Sequence, residues 1–398
     1  MGKVFQPTIG TSTGGTNQAR LRAHNERLIL SIIQRHGKIA KSELAKHAGL
    51  TPQAVTIIIR ALESDGLLLR GEPRRGKVGQ PSIPMSLNPN GAYSIGLKIG
   101  RRRADLILMG FTGQQVALLH KVYPYPEPGK ILEFIRTGLN PLLENLPAPE
   151  RQKIVGIGVA MPFSLWDWAD KIAAPAGTMD AWRGFDIKHE IEKLSDFPVL
   201  IENDATSACG AELVYGRSSN IADFIYFFIG SFIGGGIVLN HAVYRGKSGN
   251  AGAIAPMPVI GPDGRASQLL EHASIYVLEK QLREKGIDPS PLWLSPDNWD
   301  EFDDLVFEWA AVVAKNLALA ILASCSVIDF DAAIIDGSIP EKIRGKIVDL
   351  TRHELAQLDM QGIDPPLVEM GTTANDARVM GSASLPLFAR YFLDKNTI

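Results

Sequence analysis

The chain has 398 residues, a formal net charge of −2 at pH 7, 45% hydrophobic residues and 21% charged residues. This composition excludes a wholly disordered chain, and the length predicts two or three domains. Two cysteines, Cys209 and Cys325, are too few for a disulfide framework or a cysteine-rich metal site, which favours a reducing cytoplasm. The longest apolar stretch, residues 310–328, is interrupted by Lys315 and Asn316, and it predicts a buried helix and no membrane span.

The net charge hides an asymmetry along the chain. Residues 1–90 hold 13 Lys and Arg against 5 Asp and Glu, a net charge of +8, so the remainder carries −10. A small basic unit on a larger acidic body indicates that the basic unit binds an anionic partner, with nucleic acid as the main candidate. A solvated basic face on a small domain is the alternative.

The N-terminal segment has the pattern of a winged helix-turn-helix. Residues 1–19 are rich in Gly and Thr, and we expect a flexible arm there. Residues 20–88 form the predicted domain, in which Thr51 has the position of a helix N-cap and Pro52 the first helical position. The pattern predicts three helices and then two short strands that flank a basic wing, over residues 20–36, 41–47, 52–65, 67–70 and 83–87.

The third helix of such a domain enters the major groove, where its early residues meet base edges. Gln53 has the chemistry to pair with adenine, and Arg60 to pair with guanine or a phosphate. Basic wing residues would meet the DNA backbone or the minor groove. A winged helix used for protein contacts is the alternative. The predicted DNA contacts are Lys41, Ser42, Thr51, Gln53, Thr56, Arg60, Arg74, Arg75 and Lys77.

Beyond a boundary at residues 88–91, strands alternate with helices, which predicts an α/β fold class. Residues 93–123 and 223–244 both follow the pattern of apolar strand, glycine turn and apolar strand. This echo indicates two related lobes with a cleft between them. The predicted strands are 93–99, 105–109, 115–122, 154–160, 199–202, 224–228, 236–240 and, as the final one, 332–335, with long helices over 130–143 and 302–324.

The body carries four motifs whose order and spacing form a signature. They are Gly-Val-Ala-Met-Pro at 158–162, Ile-Glu-Asn-Asp-Ala at 201–205, Gly-Ser-Phe-Ile-Gly-Gly-Gly-Ile at 230–237 and Gly-Asn-Ala-Gly at 249–252. Together with the N-terminal winged helix, they resemble the ROK family of repressors and sugar kinases over residues 16–390. The resemblance implies a two-lobed actin-like, ribonuclease-H-like sugar-kinase body, with a first lobe over 92–203 and 376–398 and a second lobe over 204–375.

The resemblance also identifies the residues on which phosphoryl transfer would depend. Asp204 matches the catalytic base of the family's kinases, although an Asp before a helix is also a favoured N-cap. The kinases' first phosphate loop, Gly-Ile-Asp-Ile-Gly-Gly-Thr-Lys, is here Gly-Leu-Lys-Ile-Gly-Arg-Arg-Arg at 96–103. Lys98 replaces an acidic residue that helps to organise Mg²⁺, and Arg101 and Arg102 bring bulk where phosphate would lie against the backbone. We therefore expect no kinase activity and a vestigial base at Asp204.

The arginine run of residues 101–103 has two interpretations. We expect a solvated hairpin tip, because consecutive residues of a strand alternate between its faces. An anion site is the alternative, since guanidinium groups pair well with phosphate. Two further departures from the kinase pattern are Phe232 in the second glycine loop and Asp336-Gly337-Ser338 in place of three glycines.

The family's zinc and sugar sites are only partly kept. Its zinc ligands, a His and a cysteine cluster, correspond here to residues without thiol or imidazole, so we expect no metal, and we expect no cofactor. The resemblance assigns Asn203, Asp204 and Glu271 to the sugar or effector, and Asn250 adds a further amide. An exposed helix residue is the alternative for Glu271. Three tryptophans are candidates either for stacking on a sugar or for core packing: Trp166, Trp168 and Trp182.

These features predict a cytoplasmic DNA-binding transcriptional repressor whose degenerate kinase-like body senses a sugar or sugar derivative. The expected partners are a double-stranded DNA operator, the effector and further copies of the chain in a homodimer or homotetramer, with no membrane. One alternative is an ATP-dependent sugar kinase with a DNA-binding arm, against which Lys98 and the arginine run argue. A second alternative is a constitutive DNA-binding protein with an inert body.

Overall fold

Three helices and a small antiparallel sheet form the N-terminal winged helix-turn-helix. The computed structural model describes residues 16–73, 83–163, 165–168, 175, 177–261 and 264–393. The sheet order is β1-β3-β2, and buried apolar residues of the three helices pack beneath it. The elements are α1 (Thr16–His36), β1 (Ile39–Ala40), α2 (Lys41–Ala48), α3 (Pro52–Ser64), β2 (Leu68–Arg70) and β3 (Pro84–Leu87).

The start of α1 corrects one expectation. The arm was predicted over residues 1–19, but α1 begins at Thr16, so residues 16–19 are helical. Neither Gly nor Pro stands between Thr16 and Arg20 to stop the helix. Residues 1–15 lie outside the described part of the chain.

The first lobe is built on a five-stranded sheet of order β6-β5-β4-β7-β8. Strands β4, β5 and β6 are antiparallel, whereas β7 and β8 run parallel to β4. The central strand is buried throughout, as its run of apolar residues predicts. The elements are β4 (Tyr93–Ile99), β5 (Arg103–Gly110), β6 (Gln115–Val122), α4 (Pro128–Leu143), α5 (Ala148–Arg151), β7 (Ile154–Ala160), α6 (Ile187–Glu192) and β8 (Val199–Glu202).

The second lobe repeats this arrangement, with the sheet order β11-β10-β9-β14-β15. The first three of these strands are antiparallel and the last two are parallel to β9. The two lobes therefore share one strand arrangement, which confirms the predicted internal repeat. The elements that follow β8 are α7 (Asp204–Tyr215), β9 (Phe224–Ile229), β10 (Gly234–Leu239), β11 (Ala242–Val243), β12 (Pro258–Ile260), β13 (Ala266–Gln268), α8 (Ile275–Glu284), α9 (Pro291–Leu294), α10 (Asp303–Cys325), β14 (Ala332–Gly337), α11 (Glu341–Leu355), β15 (Leu367–Met370) and α12 (Ala377–Tyr391).

Two features of the second lobe bear on the predictions. The predicted final strand is β14, but β15 follows it as a short edge strand in which only one of four residues is buried, too weak a pattern to detect. The stretch Asp300–Cys325 is long and apolar enough to cross a membrane. However, α10 packs its apolar side into the core of this lobe, as predicted.

Helix α12 connects all parts of the molecule. It lies against the first-lobe sheet and against α7, so closely that a Cβ atom on Gly381 would stand 2.0 Å from the Ser207 carbonyl oxygen. Beyond its C-terminus, the backbone N–H of Leu393 donates to the Ser31 hydroxyl of α1 (2.9 Å). The winged helix and the body therefore share one hydrophobic core, formed by Ile29, Ile33, Leu44, Ile59, Ile107, Met109, Phe111, Val379, Leu387 and Phe392 among others.

Candidate functional site

A cavity of about 400 Å³ lies between the two lobes. Its walls come from the β4–β5 turn, the start of α7, the β9–β10 loop, residues 250–255, α8, α9 and the first turn of α12. Both polar and aromatic side chains line it, which is typical of a small-molecule site.

Three of the four predicted effector residues line this cavity, namely Asn203, Asp204 and Asn250. The helix cap is Asn203, not Asp204: the Asn203 Oδ1 accepts from the backbone N–H groups of Ala205 (3.0 Å) and Thr206 (3.3 Å). Asp204 is the first helical residue, because β8 runs directly into α7 and leaves Asn203 in the extended conformation that a cap requires. The Asp204 carboxylate is thus not used as the helix cap, and Asp204 lines the cavity.

The fourth predicted residue is not brought to the cavity. Glu271 is exposed at the end of a short 3-10 turn, and only its neighbour Leu270 lines the cavity. Of the tryptophans, Trp182 is buried and donates its indole N–H to the Pro126 carbonyl oxygen (2.7 Å), which makes it a core residue. The side chain of Trp168 lies outside the described part of the structure.

Lys98 occupies the floor of the cavity and is ion-paired. Its Nζ lies 3.0 Å from Asp105 Oδ2, and the Arg103 Nε lies 2.7 Å from Asp105 Oδ1. Burial lowers the pKa of Lys98 to about 8, although Asp105 opposes the shift. Burial alone would raise the pKa of Asp105, but Lys98 and Arg103 hold it below its usual range.

The prediction of a solvated tip for the arginine run is wrong. The side chains of Arg101 and Glu279 are only 3% and 4% exposed, and they form a bidentate pair at 2.7 and 3.2 Å. Arg102 adds a contact to the same carboxylate (2.9 Å) and lies over the Trp293 ring at 4.4 Å. The tip is buried because α8 and α9 of the second lobe cover it, which strand alternation within the first lobe cannot reveal.

Sequence reasoning missed a second contact between the lobes, at Arg378. This residue lies in the first turn of α12 and its Nη1 is 3.2 Å from Asp204 Oδ2. Its Nη2 donates to the Ser338 hydroxyl (3.1 Å), and its guanidinium lies 4.7 Å from the centre of the Phe228 ring. No local signal marks Arg378, since its partners are 40 or more residues away in the sequence.

The two departures from the glycine pattern both have structural roles. Phe232 packs against the core of the first lobe and edge-on to Tyr276 (5.3 Å), so it fills part of the cleft. Asp336 is fully buried and accepts hydrogen bonds from Tyr226 and Thr373, both at 3.1 Å. Burial raises the pKa of Asp336 despite the nearby Arg344 guanidinium.

The segment that corresponds to the family's zinc site is a two-stranded hairpin, β12 and β13. Val259 is buried, and Met257 and Leu270 pack against the core of the second lobe. Among the described residues, no group of three or more His, Cys, Asp or Glu side chains is placed to hold a metal ion.

A second candidate site is the exposed face of α3. Thr51 is its N-cap and accepts from the Ala54 N–H (3.2 Å), as predicted. Gln53 and Arg60 are exposed, whereas the Thr56 hydroxyl donates to the Pro52 carbonyl oxygen (2.8 Å) within the helix. At the start of α2, Ser42 is exposed and Lys41 is half-buried. Three predicted wing contacts lie outside the described residues: Arg74, Arg75 and Lys77.

The structure adds Ile57 to this face. Its side chain is 62% exposed and lies between Gln53 and Arg60 at helical spacing, with no place in the core beneath. An exposed β-branched residue on a recognition helix suits the methyl group of thymine. The signal was present in the sequence, because Ile57 falls outside the apolar stripe of Val55, Ile58 and Leu62.

Comparisons with known proteins agree with this architecture. Residues 94–387 match the model of the ROK family, and residues 22–68 match a model of the winged helix-turn-helix DNA-binding domain. The N-acetylglucosamine repressor of Escherichia coli O157:H7 is 26% identical over 335 residues, which cover 80% of this chain and 81% of that protein. The xylose repressor of Bacillus subtilis (strain 168) is 25% identical over 243 residues, 61% of this chain and 62% of its own length.

Solved structures extend the likeness to the whole fold. A ROK family transcriptional regulator, a homolog of the E. coli MLC protein, superposes with a TM-score of 0.64 at 19% identity and covers 93% of this chain and 97% of its own. A ROK hexokinase from Thermus thermophilus matches 73% of this chain and 96% of its own at 21% identity, with a TM-score of 0.51. A ROK family glucokinase from Streptomyces griseus matches 74% of this chain and 99% of its own at 19% identity, with a TM-score of 0.57. Since the family model spans most of the chain and the winged helix precedes it, this protein belongs to the ROK family.

Proposed function

We propose that this protein is a transcriptional repressor that binds an operator through α3. A sugar or sugar derivative in the interlobe cavity would either release the protein from the operator or retain it there. The observation that carries the proposal is the shared core: the winged helix is not a free appendage but packs on α12, whose first turn lines the cavity. A ligand that prefers one arrangement of the lobes would therefore bias the arrangement of the DNA-binding helices.

Kinase activity is not part of this proposal. The position of the first phosphate loop is occupied by Arg101 and Arg102, which are held by Glu279 of the opposite lobe. The base candidate Asp204 is ion-paired with Arg378. A nucleotide would have to displace both ion pairs before its phosphates reached the backbone.

The chain's organisation fits a symmetric regulator in the cytoplasm. We place the first lobe at 92–203 and 376–398 and the second at 204–375. A homodimer would present two α3 helices to half-sites about one helical turn, roughly 34–36 Å, apart. A small rotation between the lobes would change that separation and weaken operator binding.

The test of DNA binding is selection of sites from a random duplex pool, followed by fluorescence anisotropy at two salt concentrations. We expect one enriched sequence, and an affinity that falls with salt as phosphate contacts require. Failure to enrich any sequence would leave the winged helix as a protein-binding module.

The test of the sensing role uses the same duplex with sugars and sugar derivatives added one at a time, and thermal shift as a second readout. A ligand that raises the melting temperature and changes duplex affinity supports sensing; ligands that do neither favour a constitutive binder. A coupled ADP-release assay over the same panel, with Asp204→Asn as the control, tests the kinase alternative. Turnover that this substitution abolishes would contradict the proposal.

A further inference from the structure

Two arginines of the first lobe are bonded to one glutamate of the second lobe at the edge of the cavity. Arg101, in the β4–β5 turn, donates to both carboxylate oxygens of Glu279 on α8, at 2.7 and 3.2 Å. Arg102 donates to the same carboxylate at 2.9 Å and lies over the Trp293 ring of α9. These contacts join parts of the chain that are 177 and 178 residues apart, and they bridge the two lobes directly.

The turn that carries the arginines is fixed within the first lobe. Tyr123 donates its hydroxyl to the Gly100 carbonyl oxygen (2.6 Å) and its backbone N–H to the Arg102 carbonyl oxygen (3.0 Å). The Arg102 Nη1 also donates to the Pro124 carbonyl oxygen (3.2 Å). The arginines therefore move with the first lobe and not independently of it.

Glu279 is fixed in the same way within the second lobe. On either side of it along α8, Leu278 and Leu282 are fully buried in the core of that lobe. Arg283, one turn further along the helix, pairs with Glu279 at 2.6 Å. Because both sides of the bridge are anchored, a separation of the lobes by more than about 1 Å would take its N–O distances out of hydrogen-bonding range.

A buried, bidentate ion pair has two distinct states, bonded and broken. In the bonded state, two N–H···O bonds to one carboxylate fix the relative orientation of the groups that carry them. In the broken state the charges regain water, and this hydration offsets much of the lost attraction. The bridge therefore specifies one arrangement of the lobes, while a ligand with a moderate preference for another arrangement could still break it.

We infer that Arg101, Arg102 and Glu279 form a latch that keeps the two lobes together beside the cavity without help from any ligand, and that the lobes separate only when these ion pairs break. The arginines of the altered phosphate loop thus supply a contact between the lobes. This inference goes beyond the proposed function, because a body that senses nothing would carry the same latch.

The experiment compares lobe separation in the full chain with and without Arg101→Met. This change breaks the bidentate pair but leaves Glu279 with Arg102 and Arg283, so the buried carboxylate keeps its counter-charges. Spin labels are placed at Lys193→Cys in the first lobe and Lys346→Cys on α11, which are exposed positions, whereas Cys209 and Cys325 are buried. Double electron–electron resonance then gives the distance distribution.

We expect one narrow distance population in the labelled chain that retains Arg101, and a second population when Arg101→Met is introduced. The same single population in both chains overturns the inference, as does a broad distribution in the chain that retains Arg101. Thermal unfolding confirms that the variant is folded. If it is not, Arg102→Gln, which removes the other bridging pair, is judged by the same two criteria.

Arg283→Gln is the matched control. It removes a cation from the same carboxylate, but Arg283 and Glu279 both lie on α8, so no contact between the lobes is lost. The control should keep the single population. A second population in the control as well would show that the loss of charge, and not the loss of the bridge, separates the lobes, and it would overturn the inference.

The affinity of Arg101→Met for the selected duplex separates the latch from the sensing role. If the distances change and duplex affinity does not, the latch is supported and the proposed route from the lobes to the DNA fails. If the distances do not change, the latch fails whatever the duplex affinity is.

Discussion

Lys98 and Asp105 show how one substitution changes the chemistry of a site. A buried lysine charge destabilises the folded state unless it is paired. Here the Lys98 ammonium group pairs with one oxygen of the Asp105 carboxylate, and Arg103 pairs with the other. Arg103 and Arg378 add like charge, and burial is the largest cause of the lowered pKa of Lys98. The protein thus contains an ammonium group that titrates near pH 8.

Lys98→Met tests this titration. The folded-state pKa of about 8 is below the unfolded value of 10.5, so between these values the unfolded chain binds more protons and the wild type gains stability as the pH rises. We expect its free energy of unfolding to increase by about 2 kcal/mol relative to Lys98→Met from pH 8 to 9.5. Urea unfolding across this range measures the difference. A constant difference would contradict the assignment, and the exposed Lys193→Met should follow the wild type.

Glu279→Gln tests the ion pairs that join the lobes. The change removes the shared carboxylate and leaves buried guanidinium charge, so we expect a loss of about 3 kcal/mol in the free energy of unfolding. Glu284→Gln lies on the same helix in an exposed, 3.8 Å pair with Lys280 and should cost under about 0.5 kcal/mol. Equal, small effects in urea unfolding would show that the lobes do not depend on Glu279.

At the scale of elements, α3 separates stability from recognition. One face packs Val55, Ile58, Ile59 and Leu62 into the domain, and the opposite face leaves Gln53, Ile57 and Arg60 exposed. Substitutions on the exposed face should therefore change DNA affinity without changing the fold.

Gln53→Ala and Ile57→Ala test the recognition face. We expect Gln53→Ala to lose about 1–3 kcal/mol of operator binding, mainly at one A·T position, and Ile57→Ala to lose less, at a thymine. Fluorescence anisotropy on the selected duplex and on single-base variants measures both. Ser64→Ala, exposed at the far end of α3, is the control. A uniform loss across all duplexes would contradict base recognition.

At the scale of the whole molecule, α12 connects the cavity to the winged helix. Arg378 at its start contacts Asp204, and about 20 Å further along, Phe392 packs with Phe111 and Phe388. Leu393 then binds Ser31 of α1, and Gln34 of α1 donates to the Val214 carbonyl oxygen of α7 (2.8 Å). The proposed sensing role requires a displacement of the lobes to reach the winged helix, and we expect these contacts to transmit it.

The double variant Ser31→Ala, Gln34→Ala tests this route. It removes two hydrogen bonds between the winged helix and the body but changes no cavity residue. We expect the affinity for the effector to change by less than twofold. The factor by which the effector changes duplex affinity should fall several-fold, so that the coupling free energy moves toward the lower end of its typical range. Titration of effector with and without duplex gives both numbers. Unchanged coupling would show that the signal travels elsewhere.

The sequence alone determined most of the fold, because its signals are local. Helical spacing and the Thr51 cap placed the three N-terminal helices, and apolar strands alternating with helices placed the two lobes. The four motifs placed Asn203, Asp204 and Asn250 in one region, and the structure brings all three to the cavity.

Only the tertiary structure decided the state of the charged groups. The local pattern around Arg101 predicts a solvated side chain, but α8 buries it. Its partner on that helix, Glu279, lies 178 residues later in the sequence. Arg378 has no motif, yet it holds Asp204, while Glu271 follows its motif and lies outside the cavity. Burial and ion pairing depend on which distant elements pack together, and a pattern along the chain does not contain that information.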